Sequence, residues 1–195
     1  MIISKNTDPQ TALTKTQKEL QKGSGDSRHP FRYLSLSSYN IEAEEPNIRM
    51  VILREIKDDW RIFVYTDART SKVNELKQLN RAALLFWHSY HKTQLTLKTT
   101  VTIHENNEIA EKYWKKDVHG SAQKAYTPLV SPGTEIETPK DAHRWPDTYT
   151  MDHFCVLECD PSDLQILQIN GKEHRRLAFQ RTDNTDSWKG QWIAP

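Results

Sequence analysis

The stretch NIRMVILREIKDDWRIFVYTDARTSK, residues 47–72, sets two apolar runs on either side of a charged turn. Met50–Leu53 and Ile62–Tyr65 read as paired antiparallel strands joined by Lys57-Asp58-Asp59. Cationic and hydroxyl residues stand at their ends: Arg49, Arg54, Thr66, Thr70, Ser71 and Lys72. Arg49 and Arg54 are an odd number of positions apart, so on one strand their side chains leave opposite faces and reach different partners. Ser71–Leu79 reads as a helix capped by Thr70 or Ser71, with Val73, Leu76 and either Leu79 or Ala82 inward. Unpaired N–H groups, a hydroxyl cap, Lys72 and one arginine would make a phosphate site without a glycine-rich loop. The same residues also suit an ordinary cap and strand ends guarded against edge pairing, so on their own they leave both readings open.

Upstream, Asp8-Pro9 starts a helix that should run to about Gln21. A loose KGSGDS hinge follows, then the strand FRYLSLSS. The expected organisation is an N-terminal helix and hinge over 1–28 and a single barrel domain over 29–195. Downstream, AALLFW (82–87) reads as a strand buried on both faces, and QLTLKTTVTIHE as a long alternating strand. NNEIAEKYWKKDVHG is an amphipathic helix pairing Ile109 with Tyr113 and Ala110 with Trp114. SAQKAYTPL adds a short helix stopped by Pro128, and 131–152 is a long surface loop. The last third is hairpins: HFCVLEC, a turn at Asp160-Pro161, LQILQI, a tight turn at Asn170-Gly171, HRRLAFQR and SWKGQWIA. Roughly six to eight strands on short turns make the chain mainly β with flanking helices, and closure into a barrel leaves the fewest bare edges.

With 195 residues, 36% of them hydrophobic and 27% charged, the chain suits a globular domain with a solvated surface. Lys+Arg 27 against Asp+Glu 26 provides no global basic field, so neither nucleic acid nor a membrane surface is an expected partner. The first residues, MIISKNTDPQTALTKTQ, lack the features of a secretory signal, and no apolar run reaches the roughly 20 residues of a membrane span. Cys155 and Cys159 on one strand would lie about 13 Å apart, too far for a disulfide, and read as buried thiols of a cytoplasmic protein. His88 and His91 read as solvated turn residues rather than metal ligands. Trp114, Trp188 and Trp192 read as packing residues, and Trp145, in the long loop, is the one tryptophan kept as a lid candidate, an alternative the residues leave open.

Pro46-x-x-Arg49-x-Val51-x-Leu53-Arg54 followed by Tyr65-Thr66-Asp67-x-x-Thr70-Ser71-Lys72 resembles the flavin-binding core of the pyridoxamine 5'-phosphate oxidase family. The likeness runs on through Asn80–Trp87 to Gln94. It resumes at Asn170-Gly171-x-x-His174-Arg175 and at Trp188 to Ala194-Pro195. The resemblance implies an FMN-binding split β-barrel that forms a homodimer with FMN between subunits. It places Arg49, Met50, Val51, Ile52, Leu53 and Arg54 along the flavin, with Tyr65 and Thr66 beside it. Thr70, Ser71 and Lys72 would hold the phosphate, and Gln94 would bond the ring. Val130 and Ser131 would come from the partner, and Arg176 would stand in for a C-terminal FMN-contacting arginine. A guanidinium beside the reduced ring would raise its electron affinity.

The departures gather on the substrate side. Four family positions that grip a substrate phosphate correspond to Arg54, Tyr113, Asp117 and Ser121, and Asp117 opposes a phosphate there. An Arg-x-His pattern becomes Arg175-Arg176-Leu177, a flavin-stacking tryptophan aligns with Ile169, and a closing Arg-Leu becomes Trp192-Ile193. Tyr113, Ser121 and Arg175 remain the candidate substrate contacts. The expected function is oxidoreduction of a small molecule other than pyridoxamine 5'-phosphate. The rivals are a non-enzymatic flavin-binding redox or stress sensor or FMN store, and a haem or deazaflavin barrel. Haem is disfavoured because none of the eight histidines is a clear axial ligand.

Overall fold

The computed structural model describes residues 2–4, 6–169, 171, 173–182 and 187–195. Helix α1 (Pro9–Gly25) is followed by β1 (Tyr33–Asn40), β2 (Glu45–Ile52), β3 (Glu55–Ile56), β4 (Ile62–Asp67), α2 (Ser71–Gln78), β5 (Arg81–His88) and β6 (Thr93–Glu105). Then come α3 (Glu108–Asp117), β7 (Phe154–Gln168), β8 (Arg175–Arg181) and β9 (Trp188–Ile193). All pairings among them are antiparallel, and they close a ring. β1 pairs β2 and β5, β5 pairs β6, β6 pairs β7, β7 pairs β4, and β4 pairs β3, which is continuous in chain with β2. The β8–β9 hairpin hangs on the second half of β7. This is the expected barrel with flanking helices.

Alternation decides what fills the ring. Leu34, Leu36, Leu84, Phe86, Leu95, Leu97, Leu157 and Leu164 are fully buried in one apolar core that also takes Ala12, Leu13 and Leu20 of α1. Asp8 caps α1, its carboxylate accepting from the Thr11 N–H at 2.9 Å. The helix runs past Gln21 through Lys22-Gly23-Ser24-Gly25 instead of breaking into a hinge. Gly23 permits this, because a Cβ there would stand 2.9 Å from the Phe31 Cβ.

Several readings need correction. Met50 and its neighbours pair with β1 (Ser35↔Met50, Tyr33↔Ile52) rather than with Ile62–Tyr65; the β3–β4 hairpin is only Glu55↔Phe63 and Ile56↔Ile62. β5 is not buried on both faces: Ala82, Leu84, Phe86 and His88 point in, whereas Ala83, Leu85 and Trp87 point out. Asp160-Pro161 is no turn. β7 runs straight through it, pairing Thr99↔Pro161 and then Lys98↔Asp163, so Ser162 is the extra residue of a bulge that accommodates a proline without an N–H. In α3 the inward residues are Ala110 and Tyr113, with Ile109 exposed. SAQKAYTPL yields a 3-10 helix, Gly120–Ala125, and the long loop holds another, Pro139–Ala142. Gly171 has the positive φ of 54° expected of its turn, while Asn170 lies outside the described residues. Both cysteines are free and buried.

His88 is not a solvated turn residue. α1 packs over it, and Glu19 Oε2 meets His29 Nε2 at 3.1 Å and His88 Nε2 at 3.6 Å. The Nδ1 atoms of both rings accept backbone N–H groups, from Phe31 and His91. Both Nδ1 lone pairs are thus taken up by backbone N–H groups and both Nε2 atoms face Glu19 as donors: a hydrogen-bonded carboxylate rather than a lone-pair set for a metal.

Candidate cofactor site

The ring splits at one place. Beyond Arg54, whose N–H donates to the Phe63 carbonyl at 2.9 Å, β2 and β4 part company. Among the described residues β2 pairs only with β1, and Val64–Asp67 of β4 only with β7, so two backbone edges border the slit between them.

At one end of that slit β4 passes into α2. Thr70 is the residue before the helix, but its hydroxyl donates to the Asp67 carbonyl at 2.8 Å instead of capping α2, leaving the first N–H groups open. Lys72 Nζ donates to Thr66 Oγ1 at 2.8 Å and Thr70 Oγ1 at 3.1 Å. Among the described residues no carboxylate lies within ion-pair distance of it. Burial, and then the charge of Arg49, hold the Lys72 pKa below that of an ordinary lysine. A half-buried cation surrounded by hydroxyls and another cation fits a phosphate anion. Ser71 is exposed beside it.

Arg49 is held from several sides. Its Nη1 donates to Ser38 Oγ at 2.6 Å, with longer contacts to the Leu36 and Asn47 carbonyls, and its Nη2 donates to Glu75 Oε2 at 3.1 Å. Glu75, buried on α2, also accepts from Ser38 Oγ and from Asn47 Nδ2 at 2.9 Å. Burial works against its charge, but the bonds from Ser38, Arg49 and Asn47 prevail and keep its pKa below the usual value. Glu75, Ser38 and Asn47 were missed in the sequence. The available signal was an acid lodged between the inward positions Val73 and Leu76.

Arg54 belongs to a second group. Its guanidinium lies 5.3 Å from the Tyr65 ring centroid and its Nη2 is 3.4 Å from Tyr126 Oη, while its buried Nε has no partner. Tyr65 donates to Asp117 and Tyr113 to Glu55, each at 2.5 Å. Burial first, and then these carboxylates, raise both phenol pKa values, so both stay protonated donors. Ser121 is exposed at the start of the nearby 3-10 helix.

The remaining candidates face elsewhere. Gln94 and Arg176 lie on one outward row, Trp87↔Gln94↔Leu167↔Arg176↔Ile193. Arg176 Nη2 donates to Gln165 at 2.5 Å, and Arg175 pairs with Glu173 at 2.8 Å. Met50 points outward, 62% exposed, whereas Val51 and Leu53 are buried and Ile52 half-buried. Val130 and Ser131 follow Pro128, whose carbonyl is held by Arg69, itself forked onto buried Asp67. Trp145 is fastened to the 3-10 helix: its Nε1 donates to the Lys124 carbonyl at 2.9 Å, and Lys124 Nζ lies 4.9 Å from its ring centroid.

Residues 11–105 match the family model described as "Pyridoxamine 5'-phosphate oxidase, FMN-binding domain". The pyridoxamine 5'-phosphate oxidase of Saccharomyces cerevisiae is 24% identical over 174 residues, covering 83% of this chain and 75% of its own length. A pyridoxine/pyridoxamine 5'-phosphate oxidase of Rhizobium etli is 26% identical over 156 residues, covering 74% and 73%. Among solved structures, a pyridoxamine 5'-phosphate oxidase-related FMN binding protein from Nostoc punctiforme superposes with a TM-score of 0.76 at 18% identity, over 97% of this chain and all of that one. PhzG of Burkholderia lata gives 0.70 at 17%, over 98% and 95%. No helix among the described residues is long and apolar enough to cross a membrane. Residues 11–105 thus carry a pyridoxamine 5'-phosphate oxidase-type FMN-binding domain, set in a split barrel that superposes on these structures along its length, and the cofactor of that domain is FMN.

Proposed function

We propose that the protein is a homodimeric FMN-dependent oxidoreductase acting on a small molecule other than pyridoxamine 5'-phosphate. The observation that carries this reading is Lys72, a half-buried cation at the start of α2 bonded, among the described residues, only to hydroxyls. Lys72, Thr66, Thr70 and Ser71 hold the FMN phosphate, with Arg49 alongside. The bare backbone edge of Arg49–Leu53, with Tyr65 and Arg54, borders the flavin. Bound FMN supplies a two-electron acceptor ring.

The dimer follows from faces. Arg49 and Gln94 leave opposite sides of the sheet, so a second subunit lets both serve one flavin, with Gln94, Arg176, Val130 and Ser131 supplied by the partner. The outward face supports the same seam: Ile48 and Met50 on β2 and Leu85 and Trp87 on β5 are exposed apolar residues on either side of β1, whose Ser35 and Ser37 lie between them.

On the substrate side, Tyr113, Ser121 and Arg175 are the proposed contacts, with Arg54 a cation that has no ion pair among the described residues. Asp117, fixed by Tyr65, would oppose a substrate phosphate by about 1–4 kcal/mol at surface-like dielectric. That disfavours pyridoxamine 5'-phosphate. The test is the absorption spectrum of freshly purified protein, FMN release on heating, and anaerobic reduction by nicotinamide nucleotides and a panel of amine and ring donors. A yellow protein reduced by a non-phosphorylated donor is expected. A colourless protein that cannot be reconstituted with FMN rejects the reading.

A further inference from the structure

We infer that Glu75 is the positioning residue of the phosphate site: it fixes the Arg49 guanidinium so that its free donors serve the phosphate of FMN. This rests on the FMN reading above and extends it to a residue that makes no contact with the flavin in that reading.

A carboxylate next to a phosphate site should repel the ligand, yet Glu75 is 5% exposed and bound from two separate strands. Ser38 comes from β1, Asn47 and Arg49 from β2, and Glu75 itself from α2. An ionised group is buried only where its hydrogen bonds offset the lost hydration, and here every partner is a donor. The charge-assisted bond to Arg49 Nη2 is matched by the one from Arg49 Nη1 to Ser38, so the guanidinium is gripped at both terminal nitrogens.

Its Nε and one hydrogen of Nη2 remain without a partner among the described residues. The side chain is too constrained to swing. It stands close enough to Lys72 to lower that residue's affinity for a proton. Two cations so arranged, one fixed by Glu75 and one by two threonine hydroxyls, form a preorganised anion site. Without Glu75 the arginine would gain a second rotamer, and ordering it again would weaken the bound state.

The two views of Glu75 predict opposite signs. As a bare negative neighbour, its removal would tighten FMN; as a positioning residue, its removal loosens FMN and leaves riboflavin, which lacks the phosphate, unchanged. The experiment is flavin fluorescence quenching with FMN and with riboflavin on wild type, Glu75→Ala, Glu75→Gln and Lys77→Ala, with folding checked by circular dichroism. The FMN-to-riboflavin affinity ratio should fall about tenfold in Glu75→Ala, a loss on the scale of one charge-assisted bond. Glu75→Gln, which keeps a carbonyl acceptor for Arg49, should recover part of it, and Lys77→Ala should match wild type. If Glu75→Ala does not fold, the glutamine variant alone decides, since a ratio below wild type is still required. An unchanged or higher ratio overturns the inference while leaving FMN binding intact. A wild type that binds neither flavin overturns the phosphate site itself, and this inference with it.

Discussion

Thr66 and Lys72 meet where β4 gives way to α2, with the lysine Nζ donating to the threonine Oγ1 at 2.8 Å and, among the described residues, to no carboxylate. Lys77, one and a half turns further along the same helix, is paired with Glu105 at 2.7 Å. Lys72→Ala should therefore weaken FMN binding by about 1.5–3 kcal/mol, the value of a hydrogen bond to a charged group, and Lys77→Ala should not. Fluorescence titration of the two apoproteins checks this; equal dissociation constants would remove Lys72 from the site.

Leu85 and Trp87 lie on the outward face of β5, 36% and 45% exposed in the single chain. Leu85→Lys should shift the protein from dimer to monomer and reduce FMN retention with it. Light scattering coupled to size exclusion, recorded together with absorbance at the flavin band, reads both effects from one sample. A monomeric wild type would contradict the proposed seam.

Gly23 offers a prediction with an unusual sign. In an exposed helix Gly→Ala is stabilising by about 1 kcal/mol. Here the added methyl would meet Phe31 Cβ at 2.9 Å and the Phe31 backbone C and O at 3.0 Å, atoms that cannot rotate away. Gly23→Ala should destabilise by about 1–3 kcal/mol in urea denaturation, as overpacking does.

Burial first, and then the neighbouring His91 and His29, push the His88 pKa down to about 4. The folded chain thus holds this histidine neutral where the unfolded chain would protonate it. Its contribution is fully present above about pH 6.5 and is lost as the pH falls towards 4, by on the order of 1–3 kcal/mol. Urea denaturation at pH 7.5, 5.5 and 4.5 should show that slope, and His88→Asn should flatten it.

How much of this could be read from residues alone depended on which forces were local. Asp8-Pro9, the alternation of QLTLKTTVTIHE and the α3 pattern are local signals, and each produced the expected element. The mistakes came where a distant neighbour decided. Pro161 reads as a turn until β6 pairs across it, and AALLFW reads as doubly buried until the ring leaves Leu85 and Trp87 outside. His88 reads as solvated until α1 covers it. At the site, Lys72, Thr66 and Thr70 were legible because they sit around one strand–helix junction. Glu75 was not, because its partners Ser38 and Asn47 arrive from strands remote in sequence.

β7 is the strand that pairs β4 along its whole length, with Tyr65 opposite Val156, whereas β3 meets only its first two residues. During translation, every apolar strand from β1 to β6 therefore leaves the ribosome before the piece that seals the cylinder has been made. Such long-separation pairing slows folding and leaves sticky intermediates. Yield in a heterologous host should accordingly respond to growth temperature and chaperone supply, and truncation before Phe154 should produce insoluble material, not a smaller folded unit.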